Sequence, residues 1–384
     1  VDERDPSDLF LSDDPPPRRA RPRWLDALGL TVVVGAMVGV GVLGDRGSKD
    51  ERPTTPTTAS TTTTTSPFRR GRPYVSTTST EPLPTTTTTI GFAPPRFATG
   101  SVLLVMGPTD WLLVDVDGGT ARQVAVRQGY GAVALEDGFL VPNQADVTFV
   151  GLDGEATALP IPTGAQATWF EAGSSGRLWK LRNDETGVSA TEIDRQDRST
   201  GRVLRLPAGV NVVGVVRGDF VVSAHGTLAL VDSDTGRARA LGHGEPVAVG
   251  GGRLVRVACQ LLDCRYEVVD VATGRVWGIP DLPAAGWFNG GKVSPDGRWV
   301  ALLLPTETGE VVLRVQALDP GAGDRHWEVP GDGHLSPTFS PDSHVVFAAS
   351  GGDVCAFTVE GGDVQCLDGV PGASQQVVAA RAAG

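Results

Sequence analysis

From about residue 100 onward, short apolar or alternating runs are separated by tight breaks of Gly, Asp and Pro, a pattern that predicts β-strands rather than helices. One hairpin recurs: an apolar run, Asp, small residues, Gly, often Arg, then a second run. It is written "LLVDVDGGTARQV" near Gly118, "TFVGLDGEATAL" near Gly154, "TEIDRQDRSTGRVLRL" at Gly201 and "LALVDSDTGRARAL" at Gly236. It returns as "YEVVDVATGRVWGI" at Gly274, "VQALDPGAGDRHWEV" at Gly323 and "CAFTVEGGDVQCL" at Gly361. These are seven copies at spacings of 35 to 49 residues.

Four short strands in roughly 40–45 residues is the period of a β-propeller blade. The later copies show all four. "GKVSPDG", "RWVALLLP", "VVLRVQALD" and "RHWEVPG" make one blade, and "HLSPTFSPDS", "HVVFAAS", "DVCAFTVEG" and "DVQCLDG" the next. "VSPDGRWVALLL", Val293 to Leu304, and "FSPDSHVVFAAS", Phe339 to Ser350, therefore hold the turn between first and second strands. Pro presets φ there, and Asp with a small residue suits the reversal. The fold class is all-β, a seven-bladed propeller. Its first blade lacks an innermost strand on the N-terminal side, while "SQQVVAARAAG" remains unassigned after the seventh blade. Gln375–Ala380 is thus expected to return and pair beside Ser101–Met106, since an open ring would leave unpaired backbone groups.

"VSPDGRWVA" and "FSPDSHVVF" resemble the Ser-Pro-Asp-Gly repeats of TolB-type and WD40-like propellers. "ALDPGAGDRHW", Ala317 to Trp327, resembles the Ala-x-Asp-x-x-Thr-Gly-x-x-x-Trp docking motif of quinoprotein-like propellers, with Ala322 where Thr is usual. "VVDVATGRVW" keeps Asp270, Thr273 and Gly274 but places Trp277 one residue early; "LVDSDTGRARA" keeps Asp232, Thr235 and Gly236 and has Ala240 in place of Trp. The resemblance spans about residues 98–384 and implies a fold, not a function.

Ahead of the repeats the pattern changes three times. Residues 1–23 are polar and Pro-rich, with no apolar periodicity, and are expected to be a disordered cytoplasmic tail. Residues 24–44 begin at Trp24, and from Ala27 to Gly44 no charge appears for 18 residues. That is just long enough to cross the ~30 Å hydrocarbon core as a helix. Arg18, Arg19, Arg21 and Arg23 on one flank, against Arg46, Lys49 and Arg52 on the other, place the N-terminus inside. A cleaved signal would end in an Ala-x-Ala-like site, and none follows Val42. Residues 45–97 are expected to be an extracytoplasmic stalk, since Thr54–Thr89 contains 17 Thr, 4 Ser and 5 Pro. Extended at ~3.1 Å per residue, such a tract reaches on the order of 110 Å. Residues 98–384 are the propeller.

Charge is uneven: from Ala98 onward 34 acidic residues face 21 basic ones. A region of that sign repels phosphate backbones, so nucleic acid is not an expected partner. Cys259 and Cys264 bracket "QLLD" between two strands, and Cys355 and Cys366 flank the turn at Glu360-Gly361. An even cysteine count beyond a membrane span reads as two local disulfides, whereas zinc would call for Cys-x-x-Cys spacing or nearby His. Asp115-x-Asp117 and Asp232-x-Asp234 resemble calcium loops, but neither has Glu at the twelfth position and both sit on the recurring turn. His225, His243, His326, His334 and His344 form no metal-spaced pair. There is no Gly-x-Ser-x-Gly, Ser-x-x-Lys, His-Glu-x-x-His or P-loop. A quinone cofactor would need several intact Trp motifs. The sequence nominates no catalytic, cofactor-binding or metal-binding residue and no cofactor.

The expectation is a monomeric, single-pass protein of the cell membrane. Its propeller would be a non-enzymatic binding platform for a protein or cell-envelope polymer. The alternative is a propeller enzyme, a hydrolase or lyase using loop carboxylates or a quinoprotein-like oxidoreductase, with its site on one propeller face. A structural spacer is a third class.

Overall fold

The computed structural model describes residues 89–382 apart from 108–109, 127–128, 130, 144–145, 162–167, 173–176, 261–262, 280–281, 283–290, 307–309, 322–324, 332–336, 351–352 and 372–375. The expected tail, membrane span and most of the stalk lie outside the described residues. Among the described residues no helix is long and apolar enough to cross a membrane.

Seven antiparallel sheets make the fold. In chain order, blades 2 to 7 occupy residues 133–159, 168–207, 211–243, 245–278, 291–331 and 338–371, each a four-stranded meander. The inner strands of neighbouring blades touch all the way round, so the sheets form a closed ring.

Blade 1 closes that ring. Its inner strand is Gln376–Arg381, paired antiparallel to Ser101–Met106 with Val105 opposite Val377 and Ser101 opposite Arg381. The expected closure is therefore present, shifted by one residue at each end. Two further strands, Trp111–Asp115 and Thr120–Val124, follow outward. A fifth strand, Thr89–Gly91, pairs with Thr120–Arg122 on the outer edge. That strand falls within the span expected to be stalk. Its Ile90 packs against the cluster between blades 7 and 1, together with Phe92 and Phe97.

The core is divided into seven slabs, each shared by two neighbouring blades. Leu103 and Val105 face blade 7, while Val102 and Leu104 on the same strand face blade 2. Successive side chains point to opposite sides of a strand. Both sides are buried, so the second and third strands read as continuous apolar runs rather than alternating ones. "SVLLV" is buried throughout.

The turns follow from their residues. Ser294 and Ser340 are fully buried; each hydroxyl donates to the Asp two positions on, Asp296 and Asp342, at 2.6 Å. Each also accepts the backbone N–H five positions on, from Trp299 and Val345, at 3.0 Å. This is why Ser-Pro-Asp recurs between first and second strands. Gly251 and Gly297, in the equivalent turns of blades 5 and 6, have φ of +52° and +75° and meet backbone to backbone, leaving no room for a Cβ.

Candidate functional site

A meander of four antiparallel strands sends its first-to-second and third-to-fourth turns to one rim of the ring. Its middle hairpin and the link to the next blade go to the other. Residues of the first rim, the turn rim, hold the blades together.

In four of the seven blades the outer strand offers one side chain to the residue just past the third strand of the next blade. In blade 5 that side chain is Trp277, whose indole N–H donates to the Leu318 carbonyl at 2.8 Å. In blade 6 it is Trp327, donating to the Val359 carbonyl at 2.9 Å. The Trp327 ring also stacks on Phe357 with centroids 5.5 Å apart and lies over Gly362, where a Cβ would come within 3.2 Å. Trp277, one residue early by the motif, nevertheless occupies the docking place. In blade 4 the same place holds Arg239, which donates to the Val271 carbonyl; in blade 1 it holds Arg122, which donates to the Leu152 carbonyl at 3.4 Å. Registration confirms the equivalence: Trp277 opposes Val268, Trp327 opposes Val315, Arg239 opposes Leu230 and Arg122 opposes Leu113. The motif pointed to Ala240 as the substitute for Trp in blade 4; the residue before it does the work.

The remaining seams vary the theme. Gln365 of blade 7 donates to the Pro94 carbonyl at 3.1 Å and accepts from the Arg96 N–H at 2.9 Å, bonding the segment that leads into blade 1. Arg202 of blade 3 donates to the Ser233 hydroxyl of blade 4 at 2.6 Å and packs 5.2 Å from the Trp179 ring. Behind it, the fully buried Glu192 accepts from Arg202 at 3.0 Å, Thr200 at 2.7 Å and Arg177 at 3.3 Å. Blade 2 offers only Thr157, opposite Phe149 and too short to reach. There the tie runs backward: Arg195 of blade 3 sits 4.1 Å over the Phe149 ring and pairs with Asp137. Between blades 4 and 5 a second tie exists. Arg256 donates to the Leu241 carbonyl at 2.7 Å and forks onto Glu267 at 2.8 and 3.1 Å.

The acidic pairs of the sequence are turn formers. Asp232 Oδ1 accepts from the Thr235 N–H at 2.7 Å, its hydroxyl at 2.8 Å and the Asp234 N–H at 3.0 Å. Those bonds hold its carboxyl below the usual carboxylate range, and Thr273 does the same for Asp270. Asp115 accepts from the Gly118 N–H, and Asp117 from the Thr99 and Gly100 N–H groups. Among the described residues no group of three His, Cys, Asp or Glu could hold a metal ion. His334 lies outside the described residues. His225 adopts φ +51°, and His243 Nδ1 stands 3.3 Å from the Thr227 hydroxyl.

Both cysteine pairs stand at disulfide distance and in cross-strand register. Cys259 and Cys264 close the middle hairpin of blade 5, with Cα atoms 4.0 Å apart. Cys355 and Cys366 join the third and outer strands of blade 7, with Cα atoms 3.8 Å apart.

One ionisable pair was not signalled by any motif. Glu171 and Lys292 stand on the inner strands of blades 3 and 6, on opposite sides of the ring. Burial pushes the Glu171 carboxyl up from its usual range, and the Lys292 ammonium pulls it partly back. Both stand on inner strands, so the charge of one acts on the other although no motif links them.

No protein-family model matches the chain, and no curated protein matches it either. Solved structures do. Hsv2 of Kluyveromyces lactis is similar at 14% identity over 58% of this chain and 71% of that one, with a TM-score of 0.45. TolB of Acinetobacter baumannii is similar at 13% identity over 73% of this chain and 66% of that one, with a TM-score of 0.43. An oligogalacturonate lyase in complex with manganese is similar at 16% identity over 63% of this chain and 79% of that one, with a TM-score of 0.44. The likeness is one of fold alone. The seven-bladed propeller itself rests on the sheet order and the closed inner ring.

Proposed function

We propose that the chain is a single-pass membrane protein whose propeller is a non-enzymatic binding platform for a protein or cell-envelope polymer outside the cytoplasm. On this reading residues 24–44 cross the membrane with the N-terminus inside, and the Thr-rich stalk holds the propeller clear of the surface. The two cysteine pairs are oxidised there, and the protein acts as a monomer. The observation that supports the platform is the polar tie found at each of the seven seams, added to the strand that closes blade 1. A ring fixed in this way has little left to order when a ligand docks, so binding free energy is not spent on shaping the site.

The test is protease treatment of intact cells that produce the protein. Cleavage in the stalk should release a fragment of about 290 residues. Labelled fragment should rebind to the same cells saturably. Protection of residues 53–384 would overturn the orientation. Substrate turnover by the fragment without saturable binding would make the propeller an enzyme.

A further inference from the structure

Blades 2 and 3 differ in length, and among the described residues the difference leaves a flank of blade 3 uncovered. The second and third strands of blade 2 have 5 residues each, whereas those of blade 3 have 7. The outer strands have 4 and 9. Both blades start level at the turn rim, where Leu135, Leu140, Phe170, Leu178 and Ile193 fill the seam. Toward the other rim the last pairing among the described residues of blade 2 is Val147 with Leu159. Blade 3 continues for about two residues, or ~7 Å.

On that continuation a row runs across three strands: Arg182 opposes Ser189, and Ser189 opposes Arg205. All three face blade 2, because Leu181, Val188, Ala190, Leu204 and Leu206, their neighbours along the strands, face blade 4. Arg182 and Arg205 are exposed, and Ser189 is half-buried between them. One row toward the turn rim lie Thr191, half-buried, and Val203, 52% exposed. Arg177, Arg195, Arg198 and Arg202 of this blade all have carboxylate partners. Arg182 and Arg205 have none among the described residues. Two guanidinium groups two strand spacings apart, ~10 Å, with a hydroxyl between them, make a cationic strip on a chain of net charge −12.

We infer that this flank of blade 3 docks a carboxylate-bearing polysaccharide, an inference that rests on the platform reading above. Guanidinium forks match carboxylates in geometry. The Ser189 and Thr191 hydroxyls suit the hydroxyls of sugars. A single exposed Val203 offers no pocket for the apolar anchor by which an extended peptide is usually held. Repulsion from the rest of the acidic surface is screened beyond ~8 Å at physiological salt, so the local row decides.

The test immobilises the full chain in detergent micelles and measures binding of alginate, neutral dextran and poly-glutamate. Alginate should bind and weaken with added salt, and dextran should not bind. R182Q/R205Q should bind alginate at least about tenfold more weakly with an unchanged melting temperature, because both residues are exposed. R198Q/R237Q makes the same change in charge elsewhere and should bind as the native protein does. Equal alginate binding by R182Q/R205Q overturns the proposal, as does dextran binding as tight as alginate binding. Poly-glutamate binding that needs Arg182 and Arg205, without alginate binding, overturns it in favour of an acidic protein segment. On cells, equal binding of native and R182Q/R205Q fragments leaves the platform standing and removes this site; no binding by either removes both.

Discussion

In blades 5 and 6 the place that clamps each blade to the next is filled by Trp277 and Trp327, while in blades 1, 3 and 4 it holds Arg122, Arg202 and Arg239. Four of these five donate to a backbone carbonyl at an equivalent point of the next blade; Arg202 reaches the Ser233 hydroxyl instead. They differ in what surrounds the bond. Trp327 covers Gly362 and stacks on Phe357, so its hydrogen bond sits inside a packed contact. Arg239 is exposed, and its bond competes with water. The geometry of a seam can thus be kept while its energetics change: Trp327 adds a packed ring contact to its hydrogen bond, whereas Arg239 adds an exposed side chain.

The harshest way to break this comparison is to remove what both kinds of seam depend on. Deleting residues 376–384 strips the inner strand from blade 1 together with Val377, Ala379 and Ala380 from two slabs. The expected loss exceeds about 4 kcal/mol, read as failure to show one cooperative unfolding transition. A melting temperature unchanged by the deletion would mean that the ring does not need closing.

The comparison itself is tested next. Trp327→Ala should cost about 3–5 kcal/mol by chemical denaturation, and Trp327→Phe, which loses mainly the hydrogen bond, about 1 kcal/mol. Arg239→Ala should cost no more than about 1 kcal/mol. Equal losses for Trp327→Ala and Arg239→Ala would erase the distinction between the two seams. The reversed seam sharpens it: Arg195→Ala should cost about 1–2 kcal/mol through the Phe149 and Asp137 contacts, whereas Thr157→Ala should stay within about 0.5 kcal/mol.

The smallest effect is a gain. The folded-state pKa of Glu171 is raised by burial, so its ionisation opposes folding. The unfolded chain loses this proton at lower pH than the folded one, and the penalty grows as pH rises from the unfolded to the folded value. Glu171→Gln should therefore stabilise the propeller slightly at neutral pH and lose that advantage below about pH 4. The check is the difference in denaturation midpoint between variant and native protein at the two pH values. A difference that does not change with pH would show that the carboxyl is not the cause.

What could be read from the sequence was whatever the backbone demands locally. The recurring turn Gly was legible because αL geometry favours glycine over residues with a Cβ, as at Gly236 and Gly274, with φ of +68° and +73°. Ser294 and Ser340 were legible because their turns repeat nearly letter for letter. The closing strand was legible as an apolar run without a blade. The docking arginines were not, because in a chain whose basic residues are nearly all Arg nothing sets Arg239 apart from Arg237. Nor was Thr89–Gly91, since three residues at the end of a Thr tract have the composition of a linker and only Ile90 marks the strand. Glu171 and Lys292 belong to no motif, and the uncovered flank of blade 3 depends on the difference in length between blades 2 and 3.

The pairing of Ser101–Met106 with Gln376–Arg381 also sets a timetable. Some 270 residues separate the two strands, and a ribosome adding ~5–20 residues per second needs roughly a quarter of a minute to a minute to make them. For that whole interval blade 1 is emerging or emerged but has a naked inner edge, with unpaired donors and acceptors on offer to any other chain. Blades 2 to 7 can each zip up as they appear. The first blade of the ring is the one that must wait, and it is there that a nascent chain would need a chaperone's cover.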